Sequence, residues 1–196
     1  MTIANFYLKS ECRAIRNKTH VRKLINHHLS LGQHRNHLLI VFGLHTALRI
    51  SDLLPICWGD VYDFKANKPR KYLTITEQKT GKTKSIALNN KIITALKLCA
   101  STAKPNQYIF ENVRTGKPIT RTQARRIICA AGEAVSLPWK ISCHSLHKTF
   151  GYHAWRSGVS PAIIMEIYNH SNLGVTRRYL DVTQDDMNMV YMELTF

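Results

Sequence analysis

From Cys143 to Leu180 the chain reads CHSLHKTFGYHAWRSGVSPAIIMEIYNHSNLGVTRRYL, and this stretch limits the possible folds more than any other. It reads as three short helices, expected near 144–157, 160–168 (with Pro161 in the first turn) and 172–180. Such a segment cannot bury its own apolar side chains, so helices from upstream must cover it. The pattern supplies them. VRKLINHHLSLG is expected to form a helix from a cap at Thr19 to Gly32. HRNHLLIVFGLHTAL, with apolar residues at 38, 41, 42, 44 and 48, is expected to form a second. ALRISDLLPICWGDV adds a short helix capped by Ser51 and limited by Pro55.

Residues 65–71 (KANKPRK) read as a basic loop leading to the one clear β signal. In YLTITEQKTGKTKSIAL, apolar Leu73 and Ile75 alternate before a TGK turn, and Ile86 and Leu88 alternate after it, as in a hairpin. NNKIITALKLCA is expected to be a helix capped by Asn89 or Asn90. YIF at 108–110 is a short β-prone run, and ENVRTGKPIT reads as loop. Thr120 with Gln123 forms a capping box for TRTQARRIICAAGEAV, and Thr183 with Asp186 caps a last helix, DMNMVYMEL. The expected fold class is mixed α+β, mainly α-helical with a small antiparallel β-sheet, in a single domain spanning 1–196. Residues 1–17 form a polar lead. The methionines and aromatics of the segment 181–196 are expected to cap this domain's own core, the alternative being contact with a neighbouring protomer.

Composition narrows the partners. Lys and Arg number 28 against 12 Asp and Glu, a net charge of +16. Such an excess draws polyanions, because each phosphate neutralised releases a condensed counterion. Nucleic acid is therefore the leading partner, and no long amphipathic basic helix argues for a membrane surface. The longest apolar run, LLIVFGL at 38–44, is too short to cross a bilayer, and the N-terminus lacks a signal-peptide core. Five cysteines without a CxxC pair fit reduced thiols in a cytoplasm.

Taken singly, the chemistry-bearing residues have ordinary readings. Arg49 can pair with Asp52 at i+3. Lys79 shares a basic turn with Lys82 and Lys84, although an ammonium on a hairpin tip reaches a nucleic-acid backbone well. His144 and His147, like His34 and His37, stand three apart, but no HExxH context or further ligand supports a zinc site. His170 is a loop residue, and Tyr179 is half-core on a helix behind two arginines. No GxSxG or base–nucleophile pair supports a serine or cysteine enzyme, and twelve scattered acids do not make a metal-dependent nuclease.

Their order is more informative. ALRISDLL, a KTGK hairpin, HSLHKTFGYHA, NHS and RRYL follow one another, with His170 nine residues before Tyr179. In this the whole chain resembles the catalytic domain of the tyrosine recombinases, the phage and transposon integrase family. The resemblance implies that Arg49 is the first arginine of a phosphate clamp, with Asp52 its acidic neighbour. It implies that Lys79 donates a proton to the leaving 5′-oxygen, and that His144 and His170 are the motif histidines. Tyr179 is the implied nucleophile, forming a 3′-phosphotyrosyl bond with no cofactor, ATP or metal. Lys82, Lys84, Arg121, Arg125 and Arg177 are the expected contacts to double-stranded DNA. Other protomers, four in a synaptic complex on DNA, are the expected protein partners, in a bacterial cytoplasm or encoded by a phage or mobile element.

The chain departs from the family pattern at one position. His147 stands where the second clamp arginine is expected. Imidazole is shorter than guanidinium and cannot make its two-pronged contact, so reduced activity or a silent DNA-binding relative is expected. Residues 1–17 are also too few for the helical core-binding domain that larger relatives carry, which implies weaker and more salt-sensitive DNA binding.

Overall fold

The computed structural model describes residues 12–180 and 182–193. Its central element is α2, His34–His45, in which every residue from Leu38 to Leu44 is buried. Helices α1 (Lys18–Ser30), α5 (Asn90–Lys97), α6 (Arg121–Ala134) and α7 (Cys143–Arg156) pack around it. α7 comes close at Gly43, where an added Cβ would lie 2.7 Å from the Leu146 side chain and force it to shift.

Capping decides where several helices begin. α1 starts two residues earlier than expected, because Asn17, not Thr19, is extended and its side chain accepts from the Thr19 N–H at 2.7 Å. Asn89 caps α5. Thr120 and Gln123 form the expected reciprocal box on α6. Pro161 occupies the first turn of α8 (Pro161–Tyr168), and Thr183 with Asp186 opens α10 (Gln184–Glu193). Ser51 is not a cap, since α3 (Ile50–Leu53) begins one residue before it, behind an extended Arg49. α4 is Trp58–Val61 and α9 is Leu173–Leu180.

Among the described residues the β structure is three separate two-stranded antiparallel ladders and not one sheet. They are β1–β2 (Tyr62–Asp63, Lys68–Pro69), β3–β4 (Tyr72–Thr76, Thr83–Ala87) and β5–β6 (Glu111–Asn112, Lys117–Pro118). Only β3–β4 was expected. The KANKPRK and ENVRTGKPIT segments, read as loops, each close a ladder of their own. In the latter, Asn112 accepts from the Arg114 N–H and Gly116 turns the chain at φ +64°. YIF makes no strand. Tyr108 forms a single bridge to Cys57, and Ile109 and Phe110 enter the core.

Two apolar clusters result. The larger is built on α2, and the smaller joins Ala47, Ile164, Tyr168 and Leu180 to Phe150, Ala154 and Tyr179. α7 serves both, with Leu146 in the first and Phe150 in the second. The end of the lead segment is also structural. Ile15 is fully buried, its N–H donates to Thr149 Oγ1 and its carbonyl accepts from the His153 ring. On α10, Tyr191 and Met192 are more than 80% exposed and Val190 61%, whereas Asp186 is buried and pairs with Arg156 at 3.6 Å. Among the described residues no helix is long and apolar enough to cross a membrane, and all five cysteines are free thiols.

Gly151 tests how tightly α7 meets α8. An added Cβ would lie 2.6 Å from Tyr168 Oη, and that ring is fully buried with its hydroxyl donating to the His147 carbonyl. Alanine is favoured over glycine in a helix by about 1 kcal/mol, but overpacking costs about 1–3 kcal/mol and the displaced hydroxyl a further ~1 kcal/mol. Gly151→Ala is therefore expected to lower stability by about 1–3 kcal/mol, read from the urea midpoint. A stabilised variant would show that Tyr168 has room to move.

Candidate active site

α7 places His144 and His147 one turn apart on the side facing α9. Their rings stack with centroids 5.8 Å apart. α9 brings Tyr179 against both, at 5.0 Å from His144 and 5.5 Å from His147. The loop after α8 adds His170, 4.6 Å from Tyr179, with Nδ1 3.0 Å from Thr176 Oγ1. Tyr168 lies behind, 4.5 Å from His147, 5.0 Å from His170 and 5.4 Å from Tyr179.

Arg49 reaches this ring cluster from the turn between α2 and α3. Its Nη2 donates to the Tyr168 carbonyl at 3.3 Å, and its Nη1 lies 3.5 Å from Glu77. Arg49, Arg121, Arg125, His144 and His147, with Ser142 and Cys143, line one cleft of about 410 Å³. Arg49, His144, His147, His170 and Tyr179 are thus brought together from four separate parts of the chain. Among the described residues, three or more His, Cys, Asp or Glu side chains nowhere gather closely enough to hold a metal ion.

Residues 17–186 match the profile of the phage integrase family. The chain belongs to this family. Of its relatives, the probable integrase/recombinase YoeC of Bacillus subtilis is 37% identical over 157 residues, covering 80% of this chain and 83% of that one. Among solved structures, the XerA recombinase superposes with a TM-score of 0.76 at 19% identity, covering 94% of this chain and 67% of that one. The XerH recombinase bound to palindromic difH substrate gives 0.75 at 16% identity, over 92% of this chain and 52% of that one. The fold is that of a tyrosine recombinase catalytic domain, and the chain spans only part of these two structures.

Within this integrase-family fold the remaining candidates take different places. Lys79 sits on the exposed β3–β4 turn and makes no hydrogen bond or ion pair among the described residues. Lys82, Arg121, Arg125 and Arg177 are exposed and available to a polyanion. Lys84, expected beside them as a DNA contact, instead turns inward. Its ammonium lies 2.7 Å from Glu77 and donates to the Ile167 carbonyl at 3.1 Å. Asp52 does not pair with Arg49; it accepts from the Gln78 N–H at 3.0 Å. His37 is structural, bonded to the Ile25 carbonyl.

The electrostatics separate the two α7 histidines. His147 is 3% exposed, and neither ring nitrogen has a hydrogen-bond partner. Burial, followed by the charges of His144, Arg49 and His170, lowers its pKa to about 3. The Leu48 backbone pulls weakly the other way but makes no bond of acceptable geometry with the ring. His147 is therefore neutral throughout the working range. His144, which reaches solvent at the cleft mouth, is also lowered, first by partial burial and then by Lys148 and Arg49.

A depressed histidine pKa has a definite linkage sign. His147 binds a proton readily only when unfolded, so its contribution is fully present above about pH 6.5 and is lost as pH falls toward 3. Between pH 6 and 5 the slope from this one group is about 1 kcal/mol per pH unit. His147→Phe is expected to remove that part of the acid destabilisation, measured as the difference in urea midpoints at the two pH values. An unchanged slope would place the charge-sensitive group elsewhere.

Sequence reasoning missed Glu77, Tyr168 and Asn169. Glu77 was visible as a lone acid in TEQKTG, but nothing local signals that four donors converge on it.

Proposed function

We propose that this protein is a site-specific DNA recombinase that cleaves and rejoins strands through a 3′-phosphotyrosyl intermediate. The observation that carries the reading is the position of Tyr179, whose ring touches His144, His147 and His170 beside a cleft lined by three arginines. A phenol with a pKa near 10 is a weak nucleophile at neutral pH, so it needs a nearby base and fixed cations. The neutral imidazole of His144, exposed at the cleft, is available to take the proton, whereas His147, with a pKa near 3, is not. The Tyr179 oxygen attacks the scissile phosphorus, the bond to the 5′-oxygen breaks, and Lys79 protonates the leaving oxygen. The Arg49 fork holds the charge that develops on the non-bridging oxygens. A 5′-hydroxyl from a second strand reverses these steps, so the phosphodiester energy is conserved and no ATP or metal is needed.

Arg121, Arg125, Arg177 and Lys82 would track the duplex backbone on either side. The exposed Val190, Tyr191 and Met192 of α10 suit a contact with a neighbouring protomer in a tetrameric complex on DNA. The test is incubation with a nicked duplex that loses the short fragment bearing the freed 5′-hydroxyl, followed by denaturing electrophoresis and peptide mass mapping. A protein–DNA adduct on Tyr179 is expected. An adduct on any other residue would overturn the assignment. The buried, neutral His147 favours a second reading, a DNA-binding relative without catalysis, for which the same duplex would bind and yield no adduct.

A further inference from the structure

We propose that Glu77 is a positioning residue, whose carboxylate holds Arg49, the β3–β4 turn and the loop before His170 in one arrangement around the cleft. The proposal rests on the strand-transfer reading of that cleft and adds a residue the reading does not require.

Glu77 is 2% exposed, at the end of β3. Its Oε1 receives the Lys84 ammonium at 2.7 Å. Its Oε2 accepts from Thr80 Oγ1 at 2.8 Å and Asn169 Nδ2 at 2.9 Å, and lies 3.5 Å from Arg49 Nη1. These four donors come from β4, the hairpin turn, the end of α8 and the turn before α3. Through Thr80 the carboxylate braces the turn that carries Lys79. The backbone closes the same turn, Glu77 N–H donating to the Lys82 carbonyl and Gly81 N–H to the Glu77 carbonyl. Through Asn169 it braces a residue in the left-handed region, φ +52°, next in sequence to His170. Asparagine is one of the few non-glycine residues that adopts this region, and the bond to Glu77 fixes its side chain there.

Stability alone is a poor reason for such a group. A buried ion pair often contributes no more than well-packed apolar residues of the same volume would. The contact lengths also point to geometry. Lys84 is the close partner and neutralises the carboxylate, whereas Arg49 at 3.5 Å is aimed but not consumed. Its guanidinium has five N–H donors, and among the described residues two of them are engaged, by Glu77 and the Tyr168 carbonyl. Burial raises the Glu77 pKa, but the Lys84, Asn169 and Thr80 bonds outweigh it and bring it to about 2, so the carboxylate is charged under working conditions.

The test is E77Q, which keeps the shape and removes the charge. Adduct formation on the nicked duplex is expected to slow by about 10- to 100-fold, the range for a misplaced donor. DNA affinity is expected to hold or rise, because the site gains a net positive charge. Amide exchange is expected to quicken at 78–82 and 169–171 together, and E77D is expected to recover part of the rate. E77Q/K84Q removes the stranded ammonium along with its partner, and is expected to melt like the wild type while keeping the slow cleavage. Rate and affinity falling together, or the double variant recovering full rate, would overturn the proposal. So would exchange that quickens in one segment and not the other. Exchange needs no catalysis. Coupled loosening in a protein that forms no adduct would therefore remove the strand-transfer reading and leave Glu77 as the brace of this cleft.

Discussion

Tyr179→Phe is expected to abolish the covalent adduct with DNA, a loss on the order of 10⁶-fold or to the detection limit. The substitution removes one oxygen and keeps the ring that packs against His144, Tyr168 and His170. Affinity for duplex DNA is set by phosphate contacts from arginine and lysine, so it should stay within about twofold. The informative control is Tyr168→Phe, because the two tyrosine rings lie 5.4 Å apart and either could be drawn as the nucleophile. Tyr168 is the wrong one on three counts. It is 1% exposed, its hydroxyl donates to the His147 carbonyl at 2.6 Å, and burial raises its pKa further above the ordinary phenol value. Tyr168→Phe is expected to keep the adduct at a stability loss of about 1 kcal/mol. Adduct surviving in Tyr179→Phe and lost in Tyr168→Phe would reverse the assignment.

What the sequence disclosed, and what it hid, follows from the range of the forces involved. Asn89, Thr120 with Gln123, and Pro161 mark helix starts because a cap acts within three residues. The run at 38–44 identifies the core helix because an apolar stretch of that length has nowhere else to go. The meeting of Arg49 with His144 and Tyr179 was legible only through the order of motifs, since no periodicity links residues so far apart. Lys84 was misassigned for the same reason. Lys79, Lys82 and Lys84 look alike along the chain, and only the ladder register, with Ile75 opposite Lys84, turns one of them toward Glu77. The burial of His147 was likewise invisible: three residues from His144 on one helix, it meets Tyr168 from another element. Short ladders such as β5–β6 carry too few residues for alternation to show.

His147→Arg is expected to raise the rate of adduct formation by about 10²–10³-fold, the effect of restoring one preorganised donor to a developing oxyanion. The native imidazole cannot serve as that donor cation. It is neutral, with a pKa near 3, and wedged 4.5 Å from Tyr168 and 5.5 Å from Tyr179. A guanidinium at the same position is charged at every working pH and long enough to extend along the cleft of about 410 Å³ that His147 already lines. The added volume presses on a buried neighbourhood, so stability should fall by about 1–3 kcal/mol. The two effects oppose each other in different measurements. The rate gain appears in single-turnover cleavage at low temperature, where nearly all of the protein is folded, and the stability loss appears as an earlier urea midpoint. His147→Lys separates charge from shape: an ammonium supplies the charge without the fork, so it should recover less of the rate than arginine does. If both variants fold and neither cleaves faster, the limiting step does not wait on charge at position 147. Arg121 or Arg125, lining the same cleft, would then be the next guanidinium to remove.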